Sequence, residues 1–565
     1  MKFQEIIVKN RELEGCDNES KYKVTILSNI MVHQSKEICE YFLRMESINA
    51  KVSLGEYDNI VQDSKKNQNQ NVNAVLIFWE ACNFINGLHY KIDSLSQLEF
   101  QNIEEKIKDE IDRVLVNLKD IPLILINRFS LLAFNQFSLV KNRADQMIKN
   151  LNAYLEDASS NNMRLIDIDK VISRLSIQSS VDLRCYYSSK TLYSVSFYKK
   201  YFEYIRPIFL AETGKIKKAL IFDCDNTLWK GVLGEDGFDN IWMYEEVQYL
   251  ALQLAQKGVI IGLCSKNNPQ DVNNVLTSHP DMILKDNNII IKKVNWNDKV
   301  SNLRSIAKDL NIDIGSLVFI DDSSFEIELV KKELPEVSSF QVPSKEYEYG
   351  LMVREVSNLF YNPLETKEDI QKAKIYKDQF KRSIDKERSG NIESYLESLG
   401  LVLTVYIDDL NYSSRIAQMT QKTNQFNLTT KRYSKNEIER FIKDKCKIVI
   451  SINVSDKYGD SGITGLSILD IDNYEIDTLL LSCRILGRNI EYKFIDIIVN
   501  IAQNKGVTKL NSEYIKTTKN QQVADFYEKC EFIKTGEVNG NSKYSLHFNN
   551  YKRKDIKYIE VKNGK

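Results

Sequence analysis

Histidine is scarce in this chain: among 565 residues there are four, His33, His89, His279 and His547. A serine-hydrolase triad needs an imidazole base late in the domain that carries its serine, and residues 90–207 hold none. Cysteine is sparse and scattered, nine residues without a C-x-x-C pair. That argues against zinc and disulfide frameworks and for reduced thiols. Surplus charge is also lacking: the formal net charge is −1, which excludes the basic surface that nucleic acid demands. No apolar run is long enough to cross a bilayer, and the opening MKFQEIIVKNRELEG is too charged for a signal peptide. A cytoplasmic location is expected. What remains, 43% hydrophobic and 27% charged residues, is ordinary globular composition, and the length calls for several cores. Three domains are expected.

The chain is organised around residues 217–237, KKALIFDCDNTLWKGVLGEDG. Residues 219–222 read as a buried strand of a parallel sheet that delivers Asp223 and Asp225 to its carboxyl end, where open α/β sheets place their chemistry. A second buried strand, 259–264, ends in Ser265, Lys266 and Asn267, with Pro269 opening a helix. A hydroxyl and free N–H groups there suit a phosphate. A helix over 298–310 carries Lys299 in its first turn, a cation where the helix dipole favours an anion. A bound phosphate would relieve that mismatch. A third strand, 317–320, delivers Asp321 and Asp322, an acidic pair suited to a hard cation such as Mg²⁺.

DNTLWKGVLGEDG, CSKNN, VNWNDK and FIDDSSFE resemble the FkbH-like family, built on the haloacid dehalogenase (HAD) type of aspartate-nucleophile phosphotransferase. The resemblance implies that Asp223 attacks phosphorus, that Asp225 protonates the leaving oxygen and later activates water, and that Ser265 and Lys299 hold the phosphoryl group. Thr227, Lys266 and Asn267 would share phosphate binding. Asp223, Asp321, Asp322 and the backbone carbonyl of Asp225 would hold Mg²⁺. Ser323 and Ser324 depart from the Asn-Pro expected after the acidic pair.

The fold class expected is multi-domain α/β. Residues 1–205, with strands at 23–29, 50–54, 74–78 and 121–126 and a loop tip at 63–73, would form an SGNH-hydrolase-like α/β domain. The family likeness offers Ser28 as a nucleophile, with His33 or His89 as the only bases at hand. The histidine census favours a docking or structural role instead. The aromatic stripe Tyr193, Phe197, Tyr201 and Tyr204 has helical spacing and reads as core. Residues 206–364 would be the HAD-like domain with a central Rossmann-like parallel sheet, and 365–391 a charged helical connector. Residues 392–550 would be a GNAT-like α+β domain, followed by a basic tail at 551–565.

The GNAT likeness rests on a strand feeding SCRILGR and on QVADFYEKCEF. Arg484, Gly487 and Arg488 match its pyrophosphate loop, whereas Asn489 and Glu531 depart from it, so a phosphopantetheine arm suits the loop better than acetyl-coenzyme A. RIAQMTQKTNQFNLTT also resembles the FkbH-like family. Cys483, beside a cation, and less so Cys264, beside Ser265, are candidate acyl-bearing thiols. Cys224 reads as core. The family implies a bifunctional enzyme. It would take the glyceryl unit of 1,3-bisphosphoglycerate, remove phosphate, and load glyceryl as a thioester on a phosphopantetheinylated acyl carrier protein. The alternative is a stand-alone phosphatase acting on a small sugar or acid phosphate.

Overall fold

The computed structural model of the protein describes residues 2–14, 22–67, 72–135, 139, 142–362, 382, 391–517 and 519–564. The chain divides into two compact units, residues 1–212 with 433–437, and residues 213–432 with 438–565. The first division falls a few residues beyond the expected 205. The helix Val195–Glu212 runs unbroken through Pro207, and its Tyr201 donates to Asn127 Oδ1 at 2.7 Å inside the first core. The aromatic stripe there is core, with Tyr193 and Phe197 stacked at 3.8 Å.

The first unit is a five-stranded, all-parallel sheet of β1 (Tyr22–Ser28), β2 (Ala50–Leu54), β3 (Ala74–Phe78), β4 (Leu123–Asn127) and β5 (Met163–Ile166), in the order β2-β1-β3-β4-β5. β3 and β4 are buried at every position, as helices on both faces of a parallel sheet require. The expected loop at 63–73 is instead helical over its first residues, in Ile60–Asn67. Ile60, Ser64 and Asn67 share a buried face there, and Asp63 accepts from Glu56 N at 2.6 Å. Ser28 is buried at the carboxyl end of β1, where its hydroxyl accepts from Ile30 N. His89 meets the Tyr187 hydroxyl and packs, tilted, against the Phe134 ring at 4.1 Å. Among the described residues no hydrogen bond joins Ser28 to a histidine.

Among the described residues the second unit contains two large sheets and a two-stranded one. β6 (Ala219–Phe222) is followed by a small antiparallel pair, β7 (Trp229–Lys230) and β8 (Trp242–Met243), which forms the short insert before the helix Glu245–Gln256. β9 (Ile260–Ser265), β10 (Ile289–Val294), β11 (Leu317–Asp321) and β12 (Ser338–Gln341) complete a parallel sheet ordered β10-β9-β6-β11-β12. All residues of β6 are fully enclosed, which suits its central position.

The other sheet is mixed and eight-stranded: β13 (Leu401–Ile407), β14 (Lys447–Asp456), β15 (Gly459–Asp470), β16 (Glu475–Leu481), β17 (Lys509–Tyr514), β18 (Ile533–Val538), β19 (Asn541–His547) and β20 (Ile559–Asn563), in the order β18-β19-β17-β16-β15-β14-β13-β20. The expected basic tail is therefore part of this domain, because β20 pairs in parallel with β13. The connector expected at 365–391 lies outside the described residues apart from Arg382 and Asn391. No helix among the described residues is long and apolar enough to cross a membrane.

Candidate active site

Three adjacent strands of the parallel sheet end together. Asp223 follows β6 and donates its N–H to Ile320 O of β11 at 2.9 Å. Ser265 closes β9 and Asp321 closes β11. Lys299 opens the helix Lys299–Leu310, whose N-cap Asp298 accepts from Ser301 N at 2.8 Å. Its Nζ lies 2.6 Å from Asp223 Oδ1 and 2.8 Å from Asp321 Oδ2. The cation that opposes the helix dipole is thus held by two carboxylates. Ser265 also hydrogen-bonds Asp223.

One oxygen from each of Asp223, Asp321 and Asp322 lies within 4.8 Å of the others. Burial pushes all three carboxyls above the ordinary carboxylate range. Burial also works to lower Lys299, but Asp223 and Asp321 outweigh it and hold the ammonium above its usual value. One ammonium cannot balance three clustered carboxylates. The deficit and the all-oxygen donor set suit a divalent hard cation.

Asp225 is placed differently. Its Oδ1 accepts from Trp229 Nε1 at 2.9 Å and Leu233 N at 3.1 Å, and its Oδ2 from Asn267 Nδ2 at 2.9 Å. Its carboxylate does not join the three-carboxylate cluster, so any part it takes in holding a metal falls to its backbone carbonyl. The three donors aim it from the insert side of the turn, as a proton carrier would need to be aimed. Asn267 is therefore a support for Asp225. Lys266 pairs with Glu326 at 2.6 Å, so its charge is already answered. Thr227 is buried with its hydroxyl unpartnered. Ser323, the departure from the family pattern, donates its N–H to Asp321 Oδ1 at 2.9 Å and caps the helix Ser324–Glu333.

Sequence reasoning passed over Trp229, Asn226 and Glu326. Asn226 has φ 51°, a left-handed conformation that asparagine tolerates better than most residues. Its Oδ1 accepts from Gly231 N at 3.0 Å to close the turn, and its side chain also bonds Asp322. An Asn directly after Asp-x-Asp was the available signal.

The candidate thiols differ sharply. Cys264 is fully enclosed, and burial pushes it up to about 12, the state of an inert thiol. Cys224 is likewise core. Cys483 is half-buried. Beside it, Arg484 is buried, with Nε donating to Ser482 Oγ at 3.2 Å. Arg488 is bound to Asp456 at 3.2 Å and to Arg484 O at 2.6 Å. Burial, then the neighbouring Arg382, lowers it to about 10. Gly487 has φ +76° with open space around it.

Two features change the reading of this loop. β16 and β17 pair only at Glu475–Asn511 and Ile476–Ser512. Beyond that point the chain's own residues 426–428 fill the gap: Leu428 N donates to Leu479 O, Leu481 N to Phe426 O, and Ile515 N to Leu428 O. The start of the helix Ile490–Asn504 also meets the C-terminal segment, since Asn489 Nδ2 donates to the Tyr558 hydroxyl at 2.7 Å.

No family model matches the chain, and no curated protein does. Among solved structures, the chain is similar to the N-terminal part of the protein BF1531 from Bacteroides fragilis, which contains a phosphatase domain and was crystallised with Mg. That match has 22% identity over 64% of this chain and 99% of that one, with a TM-score of 0.55. The spermidine/spermine N-acetyltransferase SpeG from Vibrio cholerae aligns at 16% identity over 26% of this chain and 95% of its own, TM-score 0.21. The GNAT domain of S. lividans PAT aligns at 10% over 26% and 89%, TM-score 0.22. The first likeness shows a shared α/β fold.

Proposed function

We propose that the chain is an Mg²⁺-dependent phosphatase and acyl transferase of the FkbH-like kind, acting on a phosphorylated three-carbon acid. The observation that carries this reading is Lys299 held between Asp223 and Asp321, with Asp322 beside them, at the carboxyl ends of adjacent parallel strands. Asp223, Asp321, Asp322 and the Asp225 carbonyl would hold Mg²⁺, as the BF1531 phosphatase part was crystallised with Mg. Bound there, the ion would offset repulsion between a carboxylate nucleophile and phosphoryl oxygens.

In the phosphatase step an Asp223 oxygen forms a bond to phosphorus as the ester P–O bond breaks, giving an aspartyl-phosphate. Asp225 gives its proton to the departing alkoxide. It then takes a proton from water as the water attacks phosphorus, and Asp223 is released with inorganic phosphate. Lys299 and Ser265 hold the equatorial oxygens, where charge accumulates.

The acyl step is separate. A carrier thiolate attacks the acyl-phosphate carbonyl of 1,3-bisphosphoglycerate, the C–O bond to phosphate breaks, and a 3-phosphoglyceryl thioester forms, whose remaining phosphoester is cleaved in the Asp223 step to leave glyceryl on the thiol. Of the two candidate thiols, Cys483 and Cys264, Cys483 is the one open enough to relay the group. The test is the intact mass of a holo acyl carrier protein incubated with the enzyme, Mg²⁺ and freshly generated 1,3-bisphosphoglycerate. A gain of one unphosphorylated glyceryl group, absent with Asp223→Asn, is expected.

A second reading, a phosphatase acting without a carrier, draws support from residues 426–428 filling the β16–β17 gap and from Arg488 being tied to Asp456. Phosphate release without any gain in carrier mass would favour it.

A further inference from the structure

The second unit contains a cavity of about 100 Å³ at the other end of the parallel sheet from Asp223. One wall is formed by the residues leading into β6 and β9, Lys217, Lys218 and Lys257, with Asp313 beside them. The other is the helix Ser413–Lys422 and the turn Ser482–Arg484 of the mixed sheet, with Arg415, Lys422 and Arg484. Six cationic residues thus line the space against one acid, although the Lys217 ammonium donates to Gly315 O and the Arg415 guanidinium to Ile463 O. That acid, Asp313, is engaged by Lys519 at 3.1 Å.

Arg484 decides what the cavity is for. It is 5% exposed, its Nη1 has no hydrogen-bond partner, and among the described residues no carboxylate pairs with it. A buried guanidinium left without a counter-ion is strongly unfavourable, and a folded chain keeps such a group where a ligand completes it. The surrounding lysines add positive potential, which draws a multiply charged anion more than a singly charged one. The volume holds several waters, hence one phosphate group and not a nucleotide. The start of the helix Ile490–Asn504 does not take part, since its residues do not line the cavity.

We propose that this cavity is a second anion site, separate from the Asp223 cluster. It binds a phosphate group between the amino edge of the Asp223 sheet and the mixed sheet, with Arg484 as its central donor. The ligand would be inorganic phosphate, the product of the reading above, or the phosphate of a small monoester. Occupancy would brace a junction already held by Asn424 Nδ2 on Gly214 O and by the Lys519–Asp313 pair. The site does not depend on the assignment of Asp223.

The test is equilibrium dialysis of the full-length protein against radiolabelled inorganic phosphate in EDTA, where the acidic Asp223 cluster repels the anion. One saturable site is expected, weakened at least tenfold in Arg484→Gln. Lys257→Gln, at an exposed position that folding does not need, should weaken it measurably, and Asp223→Asn should leave it unchanged. Unlabelled phosphate should compete and acetate should not; phosphoglycolate competing more strongly than phosphate would identify a monoester. The proposal fails if wild-type protein shows no saturable binding, if both Arg484→Gln and Lys257→Gln bind as wild type does, or if acetate competes as well as phosphate.

Discussion

Lys299 Nζ sits 2.6 Å from Asp223 Oδ1, both side chains almost wholly removed from solvent. The pair is the electrostatic centre of the site, because the ammonium also reaches Asp321 at 2.8 Å.

Replacing Lys299 by Met leaves buried carboxylates without their cation, so a loss of about 3–5 kcal/mol is expected at pH 8. Burial already holds Asp223 and Asp321 above their unfolded values. Groups shifted upward contribute stability that is full below the unfolded pKa and is lost as pH rises through the folded one. The penalty should therefore shrink as pH falls toward 5. Thermal denaturation of both proteins at the two pH values, with and without Mg²⁺, checks this; Mg²⁺ should restore more stability to the variant than to the wild type.

Asp225 accepts from three donors. Asp225→Asn keeps one acceptor oxygen and faces donors with an amide. A stability loss of about 1–3 kcal/mol is expected, with kcat for phosphate release down roughly 10²–10⁴-fold. A variant that still builds up phosphorylated enzyme would place Asp225 in the water-attack step.

Much of this site was legible from residue order. The apolar runs at 219–222, 259–264 and 317–320 became adjacent strands with Asp223, Ser265 and Asp321 at one end, because consecutive apolar runs before helices dictate a parallel sheet. Lys299 stood out as a charge in the wrong turn of a helix. The role of Asn267 was not legible, since a side chain that supports Asp225 across 42 residues leaves no local pattern. Nor was the fate of residues 426–428, which pair with strands 51 and 87 residues further on, or that of 559–563, whose partner strand starts at Leu401. Such pairings are set by tertiary packing. The loop SCRILGR pointed to a place of importance, but Arg488 is bound to Asp456, and Arg484 faces a cavity shared with Lys217 and Lys257.

Glu80 is a test in the first unit. It is 2% exposed, and burial pushes its carboxyl up to about 8. Being raised, it contributes its full stability below pH 4.5 and loses it as pH climbs through 8. Glu80→Gln should remove that slope, matching wild type near pH 5 and exceeding it by a few kcal/mol, about 2–4, above pH 8.5. Urea denaturation across that range is the measurement.

Gly214 has φ +69°, and a Cβ there would lie 1.8 Å from the Gln421 carbonyl oxygen. Gly214→Ala must displace the backbone at the junction between the two sheets. A destabilisation of roughly 2 kcal/mol or more is expected, and reduced phosphate binding at the Arg484 cavity should accompany it.

The central claim is that Asp223 becomes phosphorylated. The direct measurement is acid-quenched intact-mass spectrometry of the enzyme during turnover of a three-carbon acid phosphate with Mg²⁺, followed by peptide mapping. The account predicts a transient gain of one phosphoryl group on the peptide holding Asp223, abolished by EDTA and by Asp223→Asn. Phosphate release with no phosphorylated enzyme at any quench time, or with the label on another residue, would contradict it.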